Sequence, residues 1–381
     1  MARRTLIVAG AGIAGLATAR ALSQAGFRVI VLERAAGPAR EGAGVQLSPN
    51  ACHVLRRLGA LRALAAGSLA PDRIVLRRAG DGALLSRFDL GEAIRERHGA
   101  PYLVAERAVL RDALLGVCRG DTDIDVRFGE GVADLALHRN GVTVLTDAGR
   151  ETVGAGLVGA DGVHSQVRGF VRNGGEAAAT GWTAWRATGP LEEAMRAETT
   201  AWLDSAAHLV HYPMPGLGRL NMVAVLPESD RPPLERFDEW SPVIRTLVRK
   251  ADGWGPWTIR TVSPGDWAYR AIALVGDAAH AMPPYAAQGA AMALEDAAVL
   301  AWCAARARDD LAAAWVAYAD RRRPRIRAVA VMTNANRRIY HMTRPWGLFR
   351  DLSMRVAPQV VLQRRMDDVY GWTPPPGPAP A

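Results

Sequence analysis

The strongest constraint in this sequence is a glycine-rich segment at residues 10–15, between an apolar run and a stretch with helical spacing. Thr5–Ala9 predicts a buried strand, Ala14–Ala25 a helix and Arg28–Glu33 a second strand, which together make a βαβ unit. In such a unit the glycines allow a tight turn, close approach of the backbone to a pyrophosphate, and tight helix–strand packing. The loop residues predicted to contact a dinucleotide are Gly10, Gly12, Ala14 and Gly15.

Glu33 supports the predicted dinucleotide-binding fold, and a second glycine-rich match later in the chain does not indicate another one. Glu33 ends the second strand, where a carboxylate can bind ribose hydroxyls. A second match to the same pattern, at residues 154–159, is interpreted as a false positive. Its Leu157 and Val158 are predicted to lie inside a strand, with the turn at Asp161-Gly162. The chain has no Cys-x-x-Cys pair, which argues against dithiol–disulfide redox chemistry.

Composition narrows the class of protein. A chain of 381 residues usually divides into two packed lobes, and 49% hydrophobic with 22% charged residues is typical of a globular protein. The net charge of +9 comes from scattered arginines, which favours anionic small molecules over nucleic acid as partners.

Three distant cysteines indicate neither disulfides nor a metal site and suit a reducing cytoplasm. The uncharged stretch Thr5–Ala19 resembles a secretory signal, but it is short and carries three glycines, so neither export nor stable membrane association is expected.

Later segments predict a second sheet and a helical end. The expected elements are strands of another sheet in 74–90, a helix at 107–117, a meander at 125–145 turning at Asn140-Gly141, strand-like alternation at 182–267, a buried strand at 271–275, a helix at 289–308 and further helices to about 370.

Three further motifs carry a specific resemblance. They are Gly159-Ala160-Asp161-Gly162, the segment 276–280 (Gly-Asp-Ala-Ala-His) with Pro283-Pro284, and Gln288-Gly289 followed by Glu295-Asp296. In this order they resemble the class A flavoprotein aromatic hydroxylases, the p-hydroxybenzoate hydroxylase superfamily. The chain looks most like the branch that holds salicylate hydroxylase, 3-hydroxybenzoate 6-hydroxylase and 6-hydroxynicotinate 3-monooxygenase, and the resemblance extends to about Trp372.

The resemblance implies an α/β fold: a Rossmann-like FAD-binding lobe, a mostly β substrate lobe and C-terminal helices. The FAD-binding lobe is expected at 1–72, 101–180 and 268–372, and the substrate lobe at 73–100 and 181–267. Residues 373–381, mostly Pro, Gly and Ala, are expected to be a disordered tail. The protein is expected to be a monomer or a homodimer.

The resemblance also implies contacts to FAD. Asp277 would accept hydrogen bonds from the ribityl chain, although it could be only a turn acid. Gly289 and Ala290 would open a helix whose positive end faces the flavin N1–C2=O edge. Arg107 would reach the phosphates or ribityl chain, or else form a helix-surface ion pair. Weaker matches to FAD-contact positions are Arg34, Ala43, Val132 and Asp161.

The implied reaction is hydroxylation of a small phenolic or aromatic acid. NADH or NADPH reduces the flavin, which reacts with O₂ to give a C4a-hydroperoxide that attacks an electron-rich ring. Two alternatives stay open: a tailoring or urate-type hydroxylase acting on a heterocycle, and a FAD-binding relative without hydroxylase activity. No metal is predicted.

The substrate side depends mainly on one predicted strand. Residues 208, 210 and 212 would face one way, so His208 and Tyr212 share a surface about 13 Å apart at Cα, while His211 faces away. The resemblance implies that Tyr212 takes the phenolic proton and that His208 orients or relays it. A tyrosine that only covers the sheet edge is the alternative.

Three more residues are predicted substrate contacts. Gln46 stands where 6-hydroxynicotinate 3-monooxygenases have a histidine, and because glutamine cannot act as a base this argues against that pyridine substrate. Arg186 either pairs with a substrate carboxylate or is a surface arginine. Pro284 is expected beside the substrate.

Overall fold

The computed structural model describes residues 3–38, 43–229, 233–357 and 359–376, and this part of the chain forms 19 strands and 11 α-helices. The strands are β1 Thr5–Ala9, β2 Arg28–Glu33, β3 Gly44–Leu47, β4 Ser68–Leu69, β5 Arg73–Arg78, β6 Leu84–Asp89, β7 Leu103–Glu106, β8 Ile124–Phe128, β9 Val132–His138, β10 Gly141–Thr146, β11 Glu151–Gly154, β12 Gly156–Gly159, β13 Ala177–Pro190, β14 Glu198–Asp204, β15 Ala207–Met214, β16 Arg219–Pro227, β17 Asp252–Val262, β18 Ala268–Tyr269 and β19 Ile272–Leu274. The helices are α1 Ile13–Gln24, α2 Pro49–Leu58, α3 Leu61–Ala66, α4 Gly91–His98, α5 Arg107–Arg119, α6 Pro242–Arg249, α7 Asp277–His280, α8 Gly289–Arg306, α9 Leu311–Tyr340, α10 Trp346–Val356 and α11 Gln359–Tyr370. Short 3₁₀ turns occupy Val167–Phe170, Glu193–Met195, Pro215–Leu217 and Pro233–Phe237.

A six-stranded sheet carries the predicted βαβ unit. Its order is β18-β19-β12-β1-β2-β8, and every neighbouring pair except β18–β19 is parallel. The central strand β1 is apolar and buried on both faces, as expected of a parallel strand covered by helices. The loops after β1, β12 and β19 therefore leave the sheet at the same edge. This edge is where ligands bind in open α/β folds.

A seven-stranded sheet forms the second large layer, in the order β17-β13-β16-β15-β14-β5-β6. Strand β15 alternates as predicted: Leu209 joins an apolar cluster with Trp202, whereas Tyr212 packs in the large core that contains the six-stranded sheet. The cluster around Trp202 also includes residues of α6, which cover this outer face. The other face thus looks towards the glycine-rich loop and its neighbours.

These sheets and the C-terminal helices α9 to α11 confirm the predicted fold class. The strand at 157–158 confirms that the second glycine pattern is not a second dinucleotide loop. Among the described residues, no helix is both long and apolar enough to cross a membrane.

Two local predictions were wrong. The meander contains only β9, β10 and β11, because β8 pairs in parallel with β2 in the six-stranded sheet. Its turn falls at Arg139-Asn140, since Gly141 already pairs with His138. Gly141 has a different reason to be glycine, because a Cβ there would overlap the carbonyl of Gly154 on β11.

The last described residues, 373–376, lie against α2, where Arg57 donates hydrogen bonds to the carbonyls of Pro374 and Pro375. The rest of the predicted tail, 377–381, lies outside the described residues, as do residues 39–42 before β3.

Candidate active site

The three glycines of the first loop differ in what surrounds them. Gly10 has φ +102°, and a Cβ there would lie 2.6 Å from the carbonyl oxygen of Ala160. A Cβ at Gly15 would overlap the carbonyl oxygen of Gly10, so both positions are glycine because the protein's own backbone is close. A Cβ at Gly12 would meet nothing within 4 Å. The space over Gly12 is therefore open to a ligand.

A cleft with a volume of about 200 Å³ lies over this loop. Glu33 stands in its wall, where its carboxylate accepts hydrogen bonds from the backbone N–H groups of Ala11 at 2.7 Å and Ala35 at 2.8 Å. A carboxylate oxygen has a second lone pair, so Glu33 can still accept a hydroxyl. The other side chains and backbone around the cleft belong to Gly12, Ile13, Gly37, Pro38, Arg107, Ala108, Arg111 and Phe128.

Other predicted cofactor contacts are at or near this cleft. The backbone N–H of Arg107, at the start of α5, donates to the carbonyl of Ala43 at 2.7 Å, which fixes that helix beside β3. Arg34 is exposed just after Glu33, and its side chain lies against Gly131, next to the buried Val132. The chain thus brings these positions, distant in sequence, to the end of β2.

The loops after β12 and β19 complete the sheet edge. Asp277 begins α7 directly after Gly276 and is exposed, so its carboxylate can accept hydrogen bonds from a ligand. The carboxylate of Asp161 accepts hydrogen bonds from the Ser165 hydroxyl at 2.5 Å and from the backbone N–H of Gln166 at 2.8 Å. Asp161 therefore closes its own turn, and its carboxylate is not held open as that of Asp277 is.

A buried ionic network, which the sequence did not predict, holds the Asp277 loop. Asp296 on α8 accepts hydrogen bonds from the Gly276 N–H at 2.9 Å and from Arg322 on α9 at 2.7 Å, and lies 2.6 Å from the His280 ring. Burial alone would raise the pKa of Asp296, but His280 and Arg322 hold it below the ordinary value. One carboxylate thus joins both ends of α7 to α8 and α9.

The start of α8 faces the same edge. Gln288 caps the helix and is buried, and its side-chain amide donates to the Ser48 hydroxyl at 2.9 Å. Gly289 is exposed and Ala290 is partly exposed, so the first N–H groups of this 18-residue helix are reachable. These groups carry the positive end of the helix dipole.

On the substrate side, Tyr212 and Asn221 lie side by side against β3. They are paired in register on β15 and β16, and a Cβ at Gly44 would come within 2.6 Å of the Tyr212 hydroxyl and 2.8 Å of Asn221 Cγ. The Gly44 N–H donates to Asn221 Oδ1 at 2.9 Å. Within the described residues, the buried Nδ2 of Asn221 has no hydrogen-bond acceptor. Such a donor is available to a ligand oxygen.

Arg186 belongs to the same wall. It pairs in register with Val223 on β16, and its guanidinium carbon lies 4.8 Å from the centre of the Trp257 ring. Burial raises the pKa of Tyr212 well above its ordinary value, and the positive charge of Arg186 opposes this rise only in part. Tyr212 is therefore a neutral phenol at physiological pH.

His208 shares this face of β15, as predicted, but it makes a different contact. Its Nδ1 lies 2.9 Å from Nε2 of His341 at the end of α9, and its ring lies against Tyr285 and Tyr340. Burial lowers the pKa of His208 to about 3 and that of His341 to about 4, so both rings are neutral. The observed partner of His208 is thus His341 and not Tyr212, four residues along the strand.

The remaining predicted substrate contacts lie on β3 and on the loop before α8. Gln46 accepts a hydrogen bond from the hydroxyl of Tyr102, the residue before β7, at 2.6 Å, so the side chain of this glutamine is already oriented. Pro284 is exposed, and its neighbour Tyr285 is buried against His208. Tyr285 and His341 were not predicted, since nothing in their local sequence distinguishes them.

The site fits FAD. The carboxylate of Glu33 at the end of β2, the open space over Gly12 after β1, and the exposed Asp277 after β19 follow one another along the sheet edge, with the α8 terminus beyond them. In that order, these positions suit the ribose, the pyrophosphate, the ribityl chain and the flavin ring of FAD.

Comparisons with known proteins agree. A family model described as "FAD binding domain" matches residues 3–232 and 235–333. The chain is 32% identical to 3-hydroxybenzoate 6-hydroxylase of Polaromonas naphthalenivorans (strain CJ2), over 96% of each chain. It is 34% identical to 3-amino-4-hydroxybenzoate 2-monooxygenase PtnB3 of Streptomyces platensis, over 97% of this chain and 95% of that protein. The crystal structure of Klebsiella pneumoniae HpxO complexed with FAD and uric acid has a TM-score of 0.85 at 26% identity, with 96% of both chains covered. The resemblance inferred from the motifs is confirmed, and the chain belongs to the FAD-binding family of flavoprotein aromatic hydroxylases.

Proposed function

We propose that this monooxygenase hydroxylates a small aromatic acid that carries a phenolic hydroxyl, using O₂ and NADH or NADPH. The observation that carries the proposal is the wall formed by the buried Tyr212 and Asn221 and the partly exposed Arg186. It offers a hydroxyl, an amide donor without an acceptor, and a guanidinium. A phenol oxygen suits the first two groups, and a carboxylate suits the third.

Bound FAD supplies the chemistry that passes two electrons from a nicotinamide to oxygen. We propose that Gly12, Glu33, Arg107, Asp277 and the first turn of α8 hold it, because the first three line the cleft over the glycine-rich loop and the others are exposed at the same edge of the sheet. Water must be excluded from the reacting oxygen species, because otherwise it decays to H₂O₂. The buried aromatic rings of Tyr212 and Tyr285 suit that requirement.

The role proposed for Tyr212 is to bind the phenolic oxygen of the substrate and to conduct its proton. Removing that proton makes the ring electron-rich, which favours attack on an electrophilic oxygen. Since Tyr212 is a neutral phenol, it can accept the proton at Oη only as it releases its own. We propose that His208 acts through packing and not as the direct receiver, because its ring nitrogen is engaged with His341.

Relatives support a hydroxybenzoate. The two curated relatives are named for action on 3-hydroxybenzoate and on 3-amino-4-hydroxybenzoate. Both compounds combine a ring hydroxyl with a carboxylate, which is the combination that the wall of Tyr212, Asn221 and Arg186 can bind.

A second candidate substrate is an oxygenated heterocycle. The observation that favours it is the similarity to HpxO, whose structure contains uric acid. Asn221 and Gln46 could hydrogen-bond the carbonyl and N–H edges of such a ring. A heterocycle without a carboxylate would make no use of the positive charge of Arg186, which places this candidate second.

The test is a panel of hydroxybenzoates, their methyl esters and urate, assayed for stimulated oxidation of NADH and NADPH with products identified by mass spectrometry. We expect a hydroxybenzoate to be hydroxylated and its ester to be a poor substrate. Arg186→Gln should raise KM for the acid about 10- to 100-fold and leave the ester unchanged. Arg219→Gln is the matched control, because Arg219 lies on the same sheet but pairs with Asp252. Equal use of acid and ester would refute the carboxylate assignment, and no stimulation by any ring would refute the proposal.

Two further features are proposed on the same basis. The three cysteines are free and buried, which suits a reducing compartment such as the cytoplasm. We also propose the two-lobe division expected from the sequence, with the substrate wall on β13, β15 and β16 and the cofactor on the lobe around β1.

A further inference from the structure

Helix α10 presents an apolar face to solvent. Five large apolar side chains of this one helix are more than half exposed: Trp346 at 66%, Leu348 at 52%, Phe349 at 62%, Leu352 at 61% and Val356 at 69%. We call these five residues the α10 face. Isolated exposed apolar residues are ordinary, but a contiguous patch of this kind marks an interaction site.

The α10 face is a true helix face and not a frayed end. At 3.6 residues per turn, its five residues fall within an arc of about 160°, with Ser353 inside the arc and Arg355 at its edge. The opposite side is buried: Arg350 donates to the carbonyls of Ile339 and Tyr340 at 3.1 and 3.0 Å. Asp351 accepts hydrogen bonds from Arg350 and from Arg78 on β5. Buried polar contacts therefore hold the apolar face outward.

The area of the α10 face suits a partner of one particular size. With about 200 Å² for a fully exposed large side chain, these exposures correspond to roughly 600 Å² per chain. Two such faces together cover about 1,200 Å², the lower bound for a specific protein–protein interface. One additional copy of the same helix is therefore enough to cover the patch.

The charges on the helix also suit a second copy. In an antiparallel pair related by a two-fold axis, Trp346 at the start of one helix meets Arg355 at the end of the other. Arginine over an indole ring gives a favourable cation–π contact, and antiparallel helix dipoles attract. Phe349 and Leu352 then lie beside the axis and cover each other. We propose that this monooxygenase forms a two-fold homodimer through antiparallel packing of α10.

A lipid surface is the alternative occupant of such a helix. Interfacial helices carry several lysines or arginines on the polar side, which attract anionic lipids. The buried side of α10 instead holds an internal Arg350–Asp351 pair, and a single arginine, Arg355, stands at the edge of the arc. The α10 face therefore favours a protein partner, and lipid binding becomes an outcome of the test.

The first experiment measures the mass of the FAD-loaded full chain by sedimentation equilibrium. We expect a dimer at micromolar concentration, and we expect Phe349→Glu to weaken dimerisation at least about 30-fold by burying a charge at the centre. Val331→Glu is the matched control, because Val331 is 70% exposed on α9 and lies outside the α10 face. Flavin absorbance and thermal midpoint check that each variant is folded. A monomeric wild type, or a Phe349→Glu variant that dimerises normally, would overturn the proposal.

The second experiment tests the antiparallel geometry by cross-linking. All three native cysteines are buried, so an introduced surface cysteine reports on its own neighbourhood. Leu352→Cys lies near the axis and should form a disulfide-linked dimer on mild oxidation. Trp346→Cys should not, because the two copies of residue 346 would lie about 14 Å apart along the helices. Cross-linking of the Trp346→Cys variant alone would overturn the antiparallel arrangement. Binding of a monomeric wild type to phosphatidylglycerol vesicles, lost in Phe349→Glu, would assign the α10 face to lipid instead.

Discussion

Replacing Gly12 with alanine should weaken FAD binding while the protein without cofactor keeps its stability. The backbone at Gly12 has φ −77°, which any residue adopts, and its Cβ would meet no protein atom within 4 Å. We therefore expect the free energy of unfolding of the apo-protein to change by less than about 0.5 kcal/mol. A methyl group at the point where the backbone approaches the pyrophosphate should cost at least about 1.4 kcal/mol of binding, or tenfold in Kd.

Gly10→Ala is the contrasting variant, because its cost arises within the protein. A non-glycine residue at φ +102° carries backbone strain of about 1–3 kcal/mol. The new Cβ would also lie 2.6 Å from the carbonyl oxygen of Ala160, which adds about 1–3 kcal/mol of overpacking. The apo-protein itself should thus lose about 2–6 kcal/mol of stability.

The assay measures two quantities for each variant: urea unfolding of the apo-protein and the Kd of FAD from quenching of flavin fluorescence. Gly12→Ala should change only the second, and Gly10→Ala should change the first. Wild-type FAD affinity in Gly12→Ala would refute the position given to the pyrophosphate. A loss of apo-protein stability as large as that of Gly10→Ala would refute the reasoning from open space.

Asp277→Ala should raise the Kd of FAD about 10- to 100-fold and leave apo-protein unfolding unchanged, because its exposed carboxylate is proposed to bind only the cofactor; an unchanged Kd would make it a turn residue. Asp296→Asn should both raise the Kd of FAD and lower the thermal midpoint, because its partners Gly276, His280 and Arg322 lose the negative charge that they share. Normal FAD binding in this variant would show that the Asp277 loop does not need the network. Tyr212→Phe should slow ring hydroxylation about 10²–10⁴-fold, so product per NADH falls while H₂O₂ rises, and unchanged coupling would reduce Tyr212 to a wall of the pocket. His211→Phe should lessen the loss of stability in acid. Burial holds the pKa of His211 in the folded protein at about 4, so below about pH 6.5 only the unfolded chain gains a proton at this residue. The wild type should therefore lose about 2 kcal/mol of unfolding free energy at His211 between pH 7 and pH 5. Equal pH dependence of urea unfolding in the two proteins would contradict that account.

The cofactor side of the site could be predicted because its constraints are local. Glycines at positions 10 and 15 are imposed by adjacent backbone, and Glu33 follows at a distance fixed by one helix and one strand. Strand alternation likewise placed His208 and Tyr212 on one face of β15. Such features depend on a few neighbouring residues, so they can be recognised without a structure.

The remaining features depend on contacts between distant segments. Asn221 becomes a site residue only because β16 pairs with β15 and Gly44 of β3 approaches both strands. Arg322 is one of three consecutive arginines, and only the packing of α9 against α8 selects it for Asp296. The prediction that β8 belongs to the meander was wrong for the same reason, because its partner β2 lies nearly a hundred residues earlier in the chain.

The contact between His208 and His341 changes how a proton could leave the substrate. A relay from Tyr212 to His208 would need a hydrogen bond between them, but they stand four residues apart on a strand, about 13 Å at Cα. His208 is instead hydrogen-bonded to His341, and burial keeps both rings neutral, so neither offers a strong base at physiological pH. A proton released at Tyr212 Oη therefore requires an acceptor other than this pair. The amide of Asn221 lies beside that hydroxyl and offers an N–H donor, and the positive charge of Arg186 acts on the same oxygen. A donor and a positive charge stabilise a phenolate oxygen where it forms, so the wall favours ionisation of the bound phenol by stabilising its anion rather than by a strong base.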